Sequence, residues 1–274
     1  GTMGSGIAQV FAVAGHDVVM CDVSQQAVAR GLDAIARNLG HMLARQKISQ
    51  ADRDGALTRV KGATGFEVLA DADITVEAAT ENEPLKLKIF GDLDRICKPG
   101  TILASNTSSI SLTRIAGATR RPARVIGMHF MNPAPVMQLI EIVRALQTSD
   151  EVYHEVEALS RKLGKTPVSV KDSPGFVSNR VLLPMINEAV YALYEGLATP
   201  EDIDTVVKLG LNHPMGQLAL ADLIGLDTCL SVMEVLHAGF NDSKYRPCPL
   251  LREMVGAGRL GRKSGRGFYD YAKQ

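Results

Sequence analysis

The sequence has no Trp and only four Cys in 274 residues. Cys21, Cys97, Cys229 and Cys248 stand far apart and form no C-x-x-C pair. That spacing argues against a disulfide frame or a zinc site and fits reduced cysteines inside a cell. No cluster of His, Cys and Asp has metal-ligand spacing, so no metal is expected. Net charge is lacking too, since 30 Lys and Arg balance 30 Asp and Glu. Without an excess of either sign, nothing steers the chain toward nucleic acid or an anionic membrane surface. The longest apolar runs are broken by charge well short of a bilayer span, which excludes a membrane helix. There is no low-complexity tract and no internal repeat. What is left is the composition of a globular protein, long enough for about two domains and a large core.

What the chain has is glycine at its start. Gly1-Thr2-Met3-Gly4-Ser5-Gly6-Ile7-Ala8 reads as the end of a dinucleotide-binding turn running into a helix. In G-x-G-x-x-G, Gly1 would be the second glycine, which lets a pyrophosphate approach the backbone. Gly4 would be the third, which lets helix and strand pack closely. The N–H groups of the first helical turn and the helix dipole then favour an anion. An apolar run from Asp17 ends at Asp22, about twenty residues past the glycines, where a carboxylate binds ribose hydroxyls. Val23, Ser24 and Gln25 follow it, with no Arg to receive a 2′-phosphate, so NAD is favoured over NADP. The motif begins before Gly1. A first strand and first glycine, roughly ten residues, are expected upstream. An organelle-targeting segment there stays open.

The first half alternates helix and strand. Residues 24–47 carry an apolar stripe of Val28, Leu32, Ile35, Leu39, Met42 and Leu43. The opposite face shows Arg30, Arg37, Asn38, Arg45 and Lys47, which is either merely solvated or a phosphate contact. Residues 52–60 suggest a short helix, 73–79 a strand, 84–97 a helix and 101–106 a strand. Strands at 124–130 and 138–143, a helix at 150–163 and a strand at 167–170 follow. Such alternation predicts an α/β, Rossmann-like doubly wound sheet, mostly parallel, with ligands at the carboxyl ends of its strands. Asp22, Glu81 and Ser105-Asn106-Thr107-Ser108 fall at such ends.

Beyond Lys171 the periodicity becomes helical throughout. The expected division is 1–171, a nucleotide-binding domain, and 172–274, an all-α C-terminal domain. A long apolar helix spans 176–194 with Pro184 inside it, where a kink is expected. Thr199 caps the next helix, with Pro200 in its first turn. Pro214, Asp222 and Pro249 are read as further helix starts. Leu220, Leu223, Leu226, Leu230 and Met233 suggest a stripe with more apolar surface than one small domain buries. Its use is either a dimer interface or internal packing.

One stretch places chemistry among these elements. Gly127-Met128-His129-Phe130-Met131-Asn132-Pro133 and Gln138-Leu139-Ile140-Glu141-Ile142 put one His and one Glu at inward-looking positions of two apolar runs joined by a Pro-rich turn. A His that takes and gives a proton near neutral pH is often oriented by a carboxylate. The competing reading is a buried His satisfied by a backbone carbonyl, with Glu141 facing solvent. The segment alone leaves both open.

Together these motifs resemble the L-3-hydroxyacyl-CoA dehydrogenase family. The likeness is carried by the glycine-rich start, Ser105-Asn106-Thr107-Ser108-Ser109, His129-Phe130-Met131-Asn132-Pro133, Asp172-Ser173-Pro174-Gly175-Phe176-Val177-Ser178-Asn179-Arg180, and Gly261-Arg262-Lys263-Ser264-Gly265-Arg266-Gly267-Phe268-Tyr269. It covers the whole chain and is closest to the single-function bacterial members acting on short acyl chains. The resemblance implies a catalytic pair at His129 and Glu141, with Ser108 and Asn179 as polar substrate contacts. It implies NAD contacts at Gly1, Thr2, Met3, Gly4, Asp22, Glu81, Lys86, Ser108, Asn132 and Lys263. It puts CoA contacts at Asn38 and Arg45, by spacing only. It further implies an acyl-CoA substrate, a homodimer formed by the helical domain, a cytoplasmic enzyme, a place in fatty-acid or butanoate metabolism, and a site that closes between domains because Asn179 lies in the second.

In such an enzyme His129 takes the hydroxyl proton while hydride leaves carbon, and Glu141 holds the ring and stabilises the imidazolium. Ser108 and Asn179 orient the reacting oxygen or the thioester carbonyl. The hydride chemistry belongs to the cofactor. Two other readings compete. One is a same-fold dehydrogenase of a free hydroxy acid or sugar acid, in which the Asn38 and Arg45 face is idle. The other is a non-catalytic NAD-binding relative, which would have no need of His129, Glu141, Ser108 and Asn179 together.

Overall fold

The computed structural model describes residues 1–272, which divide into two compact units, one from Gly1 to Asp172 and one from Ser173 onward. The first unit runs α1 (Thr2–Val13), β1 (Val18–Cys21), α2 (Gln25–Ala44), α3 (Gln50–Arg59), β2 (Val60–Ala63), β3 (Ile74–Glu77) and α4 (Glu83–Ile96). It continues with β4 (Ile102–Ser105), α5 (Leu112–Gly117), β5 (Val125–Phe130), β6 (Leu139–Arg144), α6 (Asp150–Lys162) and β7 (Thr166–Lys171). The second unit holds α7 (Ser178–Tyr194), α8 (Pro200–Gly210), α9 (Gln217–Ile224), α10 (Leu226–Phe240) and α11 (Pro249–Gly256).

Side chains suited to capping set most helix starts. Ser24, Asn82, Ser111, Ser149 and Thr199 each accept a backbone N–H of the first turn, which satisfies a donor the helix itself cannot. Ser49 and Asp52 form a reciprocal capping box, so α3 begins at Gln50, before the expected Asp52. Its end also differs from expectation. Val60 belongs to β2, a strand too short and too glycine-containing to carry an alternating pattern.

Strands β1 and β2 pair in parallel. A second sheet has the order β3-β4-β5-β6-β7. Within it β3, β4 and β5 are parallel and β6 and β7 are parallel, while β5 and β6 are antiparallel. The turn at 131–138 is too short for a crossover helix, so β6 must return beside β5 in the opposite direction. Helix α1 serves both sheets. Its Ile7, Val10 and Phe11 join Ala104, Ile126, Met128 and Ile140 in one core, and its Ala8 and Ala12 join Met20, Val28, Ile35 and Leu39 in another. The first unit is a Rossmann-like α/β domain with a mostly parallel sheet, and the second is built of helices.

The helical unit corrects several expectations. Helix α9 starts at Gln217 behind Gly216, so Pro214 precedes it without opening it. Asp222 does not start a helix. It lies inside α9 at 1 % exposure and accepts hydrogen bonds from Phe268 N, Tyr269 N and Tyr271 Oη. The Leu220–Met233 stripe is broken at Gly225, whose φ of 104° ends α9. Leu226 and Met233 fill the unit's own core with Leu183, Ile186 and Val190, and Leu223 is half exposed. Helix α7 starts at Ser178, after a left-handed Phe176, and continues through Pro184. Thr199 caps α8 and Pro249 opens α11.

Candidate active site

The β5–β6 register pairs His129 directly with Glu141. Directly opposed residues put their side chains on one face of the sheet. His129 Nδ1 lies 2.8 Å from Glu141 Oε2, and both residues are buried, at 7 % and 2 % exposure. Two neighbours hold this register. Gly127 faces Val143 across the ladder, where a Cβ would come within 2.7 Å of the Val143 Cβ. Asn106 Oδ1 accepts Phe130 N at 2.9 Å, tying the end of β4 to the end of β5. A carboxylate can only accept, so Nδ1 donates and the neutral ring carries its lone pair on Nε2.

The parallel strands β3, β4 and β5 bring their carboxyl ends to one edge. Here Glu81 accepts Thr107 Oγ1 at 2.8 Å, Ser108 N at 2.5 Å and Ser108 Oγ at 2.9 Å. Lys86 lies beneath, 1 % exposed, with Nζ 3.7 Å from Glu81 Oε2. The structure thus joins Glu81, Lys86 and Ser108 in one cluster. The amino end of α1 meets the same edge, since a Cβ at Gly4 would touch Ala78 just past β3 at 3.9 Å. A Cβ at Gly1 would meet nothing within 4 Å, and no side chain caps α1. The first-turn N–H groups of Thr2, Met3 and Gly4 are ones that the helix itself cannot satisfy, and such groups favour an anion. Asp22 follows β1 with Oδ1 accepting its neighbour Val23 N at 2.7 Å.

Asn132 is exposed and begins the turn after β5, preceding a cis Pro133. Lys165 anchors that turn from the start of β7. Its buried ammonium donates to Ala134 O and Met137 O, each at 2.7 Å, and burial pushes its pKa down. Neither Asn106 nor Lys165 stands out as a site residue in the sequence. Asn106 sat inside a flagged motif, whereas a lone Lys beside Gly164 gives no signal.

The remaining predicted residues lie at α2 and in the helical unit. Asn38 on α2 and Arg45 at its C-cap are exposed, seven residues and so about two turns apart. Among the described residues no hydrogen bond or ion pair holds either side chain. Asn179 lies half-buried in the first turn of α7. Lys263 Nζ pairs with Asp227 Oδ1 at 2.5 Å within the helical unit. Asp172 accepts Ser111 Oγ and Thr113 N, so that motif residue fastens the start of α5. The four cysteines are free, and burial pushes the Cys229 thiol up to about 12.

Two family models match in succession. Residues 1–173 match the 3-hydroxyacyl-CoA dehydrogenase NAD-binding domain and residues 175–271 match its C-terminal domain. The chain belongs to the 3-hydroxyacyl-CoA dehydrogenase family. It is an NAD-dependent oxidoreductase of that family. It is 58 % identical over 274 residues to a probable 3-hydroxybutyryl-CoA dehydrogenase of Bacillus subtilis, covering 100 % of this chain and 96 % of the relative. It is 52 % identical to the 3-hydroxybutyryl-CoA dehydrogenase of Bradyrhizobium diazoefficiens, covering 99 % and 92 %. The crystal structure of (S)-3-hydroxybutyryl-CoA dehydrogenase from Ralstonia eutropha superposes with a TM-score of 0.97 at 57 % identity, covering 99 % and 96 %. Among the described residues no helix is long and apolar enough to cross a membrane, and no group of three His, Cys, Asp or Glu is placed to hold a metal.

Proposed function

We propose that this dehydrogenase interconverts (S)-3-hydroxybutyryl-CoA and acetoacetyl-CoA. The observation that carries the reading is the buried His129–Glu141 pair, 2.8 Å apart, on a strand that ends at the nucleotide edge. Bound NAD supplies the hydride acceptor. His129 Nε2 takes the hydroxyl proton, and in the reverse direction the imidazolium returns it to the developing alkoxide. Glu141 fixes the ring through Nδ1 and stabilises its positive charge. Ser108, held by Glu81, and Asn179 hydrogen-bond the reacting oxygen or the thioester carbonyl.

The cofactor is held by the first turn of α1 from Gly1 to Gly4, by Asp22 at the ribose, and by Glu81, Lys86, Ser108, Asn132 and Lys263. Asn38 and Arg45 meet the phosphates of CoA. The enzyme is a cytoplasmic homodimer. In support, α8 and its C-cap residue expose Val206, Leu209 and Leu211 at 64 %, 82 % and 62 % of their surface. Four-carbon relatives over the full length favour short acyl chains.

Oxidation of NADH, followed by absorbance with acetoacetyl-CoA, free acetoacetate or NADPH as the varied partner, tests the reading. Turnover should require the CoA thioester and strongly prefer NADH. Equal rates with free acetoacetate would remove CoA from the reading, and equal rates with NADPH would remove the role of Asp22.

A further inference from the structure

Beneath the proposed site lies a carboxylate that the reaction itself does not use. Glu77 is the last residue of β3, and its side chain is 2 % exposed. It pairs in register with Ser105, the last residue of β4. One oxygen accepts Lys86 Nζ at 2.7 Å and Ala79 N at 2.5 Å, and the other accepts Ser105 Oγ at 2.7 Å. A buried ion pair is poor evidence for stability, because desolvation offsets much of the attraction. Several donors on one buried carboxylate do fix its geometry, and with it the geometry of each donor.

Two routes lead from Glu77 to the same place. Through Lys86, whose Nζ also donates to Ala79 O at 3.1 Å, it reaches Glu81 Oε2 at 3.7 Å. Through Ser105 Oγ, which accepts Thr107 N at 3.1 Å, it reaches Thr107, whose hydroxyl donates to Glu81. Glu81 in turn accepts both the backbone N–H and the hydroxyl of Ser108. The β3–α4 and β4–α5 loops are therefore tied into one ring by two carboxylates, Glu81 between the loops and buried Glu77 beneath them.

We propose that Glu77 is a positioning residue that holds Ser108 in place from beneath, and that Lys86 acts on the site mainly as its relay. The inference rests on the reading that Ser108 meets the substrate. It makes Glu77 necessary for turnover although it touches neither substrate nor cofactor.

The test is a double-mutant cycle of Glu77→Gln and Ser108→Ala, read as kcat and KM for acetoacetyl-CoA and NADH, with thermal midpoints recorded for each variant. Ser108→Ala should lower kcat by about ten-fold or more, the loss expected for one well-placed hydrogen bond. Glu77→Gln should lose a similar factor in kcat, and the double variant little more than either single one. Adding Lys86→Met to Glu77→Gln removes the orphaned ammonium, so it should restore the thermal midpoint but not kcat. If Glu77→Gln does not fold, Ser105→Ala cuts one route and keeps the ion pair. Its several-fold kcat loss should vanish in the Ser108→Ala background. Losses that multiply in either cycle, or full activity in Glu77→Gln, overturn the proposal while leaving the proposed function intact. An inactive wild-type enzyme overturns both.

Discussion

The first unit buries the carboxylates of Glu77, Asp94 and Glu141 and the second those of Asp204 and Asp222, and the units neutralise them differently. In the first unit, Glu77 faces Lys86 and Glu141 faces His129. In the second, Asp204 and Asp222 are met by neutral donors. Asp204 accepts Leu218 N, Ala219 N and Tyr269 Oη, and Asp222 accepts Phe268 N, Tyr269 N and Tyr271 Oη. A cation or a proton-exchanging ring can respond to a change in charge nearby. Backbone N–H groups cannot leave, so they serve as fasteners. By this comparison Glu77 and Glu141 should govern turnover, and Asp204 and Asp222 should govern stability.

The sharpest way to break the comparison is to remove the ring. His129→Gln should lose the general base, on the order of a hundred-fold to ten-thousand-fold in kcat. Its thermal midpoint should stay near that of the wild type, because Gln can still donate to Glu141. Glu141→Gln should cost less, since the ring and its base remain. Its pH–rate profile should nonetheless depart from that of the wild type, because the charge facing the imidazolium is gone. Superimposable profiles would make Glu141 a packing residue, and the contrast between the units would collapse.

The fasteners give the opposite expectation. Asp222→Asn keeps one acceptor and turns the other into a donor facing an N–H. It should destabilise the protein by about 1–3 kcal/mol, the cost of an unsatisfied buried group, with little direct effect on kcat. The dependence on pH sharpens this further. Burial pushes the Asp222 pKa up, against the opposing N–H groups of Tyr269 and Phe268. A raised folded value means a contribution that is fully present below the unfolded Asp value and lost as pH rises through the folded one. Asp94, in the first unit, behaves inversely. Burial alone would raise it, but Arg120 N and the Arg121 guanidinium hold it below the usual range. Its contribution is present above the unfolded value and lost as pH falls through the folded one. Urea midpoints measured at steps from acid to neutral should therefore show Asp222→Asn hurting most in acid and Asp94→Asn hurting most at neutral pH. Parallel trends in the two variants would show that the buried carboxylates of the two units are equivalent.

The same contrast explains what could be seen in advance. The segment alone leaves the His129–Glu141 pair open, the family resemblance points to it, and the register across one short turn makes the two residues face each other. The strand–helix alternation was legible because each element carries its own period and cap. Asp222 was misread as a helix start because Asp is a common cap. Its real partners, Phe268, Tyr269 and Tyr271, lie nearly fifty residues away, and no local rule links them. Glu77 reads only as part of a strand in the sequence, since its three partners, Ala79, Ser105 and Lys86, belong to a loop, a neighbouring strand and a helix. Strand β2 was missed because Val60-Lys61-Gly62-Ala63 alternates in no clear way, and Gly62 sits there to clear Val28 on α2, 2.2 Å from where a Cβ would fall. Local chemistry is visible in a sequence, whereas buried carboxylates answered from a distance are not.

The smallest effect concerns charge that is not buried at all. Arg45 ends α2 in solvent, seven residues from Asn38 on the same face. An exposed pair contributes well under a buried one, typically about 0.2–1 kcal/mol. If this face meets the CoA phosphates, Arg45→Ala should raise the KM for acetoacetyl-CoA by up to several-fold, by that same range. The KM for NADH should hardly move. Added salt should shrink the effect, because screening weakens an exposed contact far more than a buried one. The truncated substrate acetoacetyl-pantetheine lacks the nucleotide phosphates and should be indifferent to the substitution. Thermal midpoints should be unchanged, since no hydrogen bond or ion pair among the described residues holds the Arg45 side chain. A variant that weakens both acyl substrates equally would instead assign this face to the folded state. The division between charge that works and charge that fastens would then extend to the surface of the first unit.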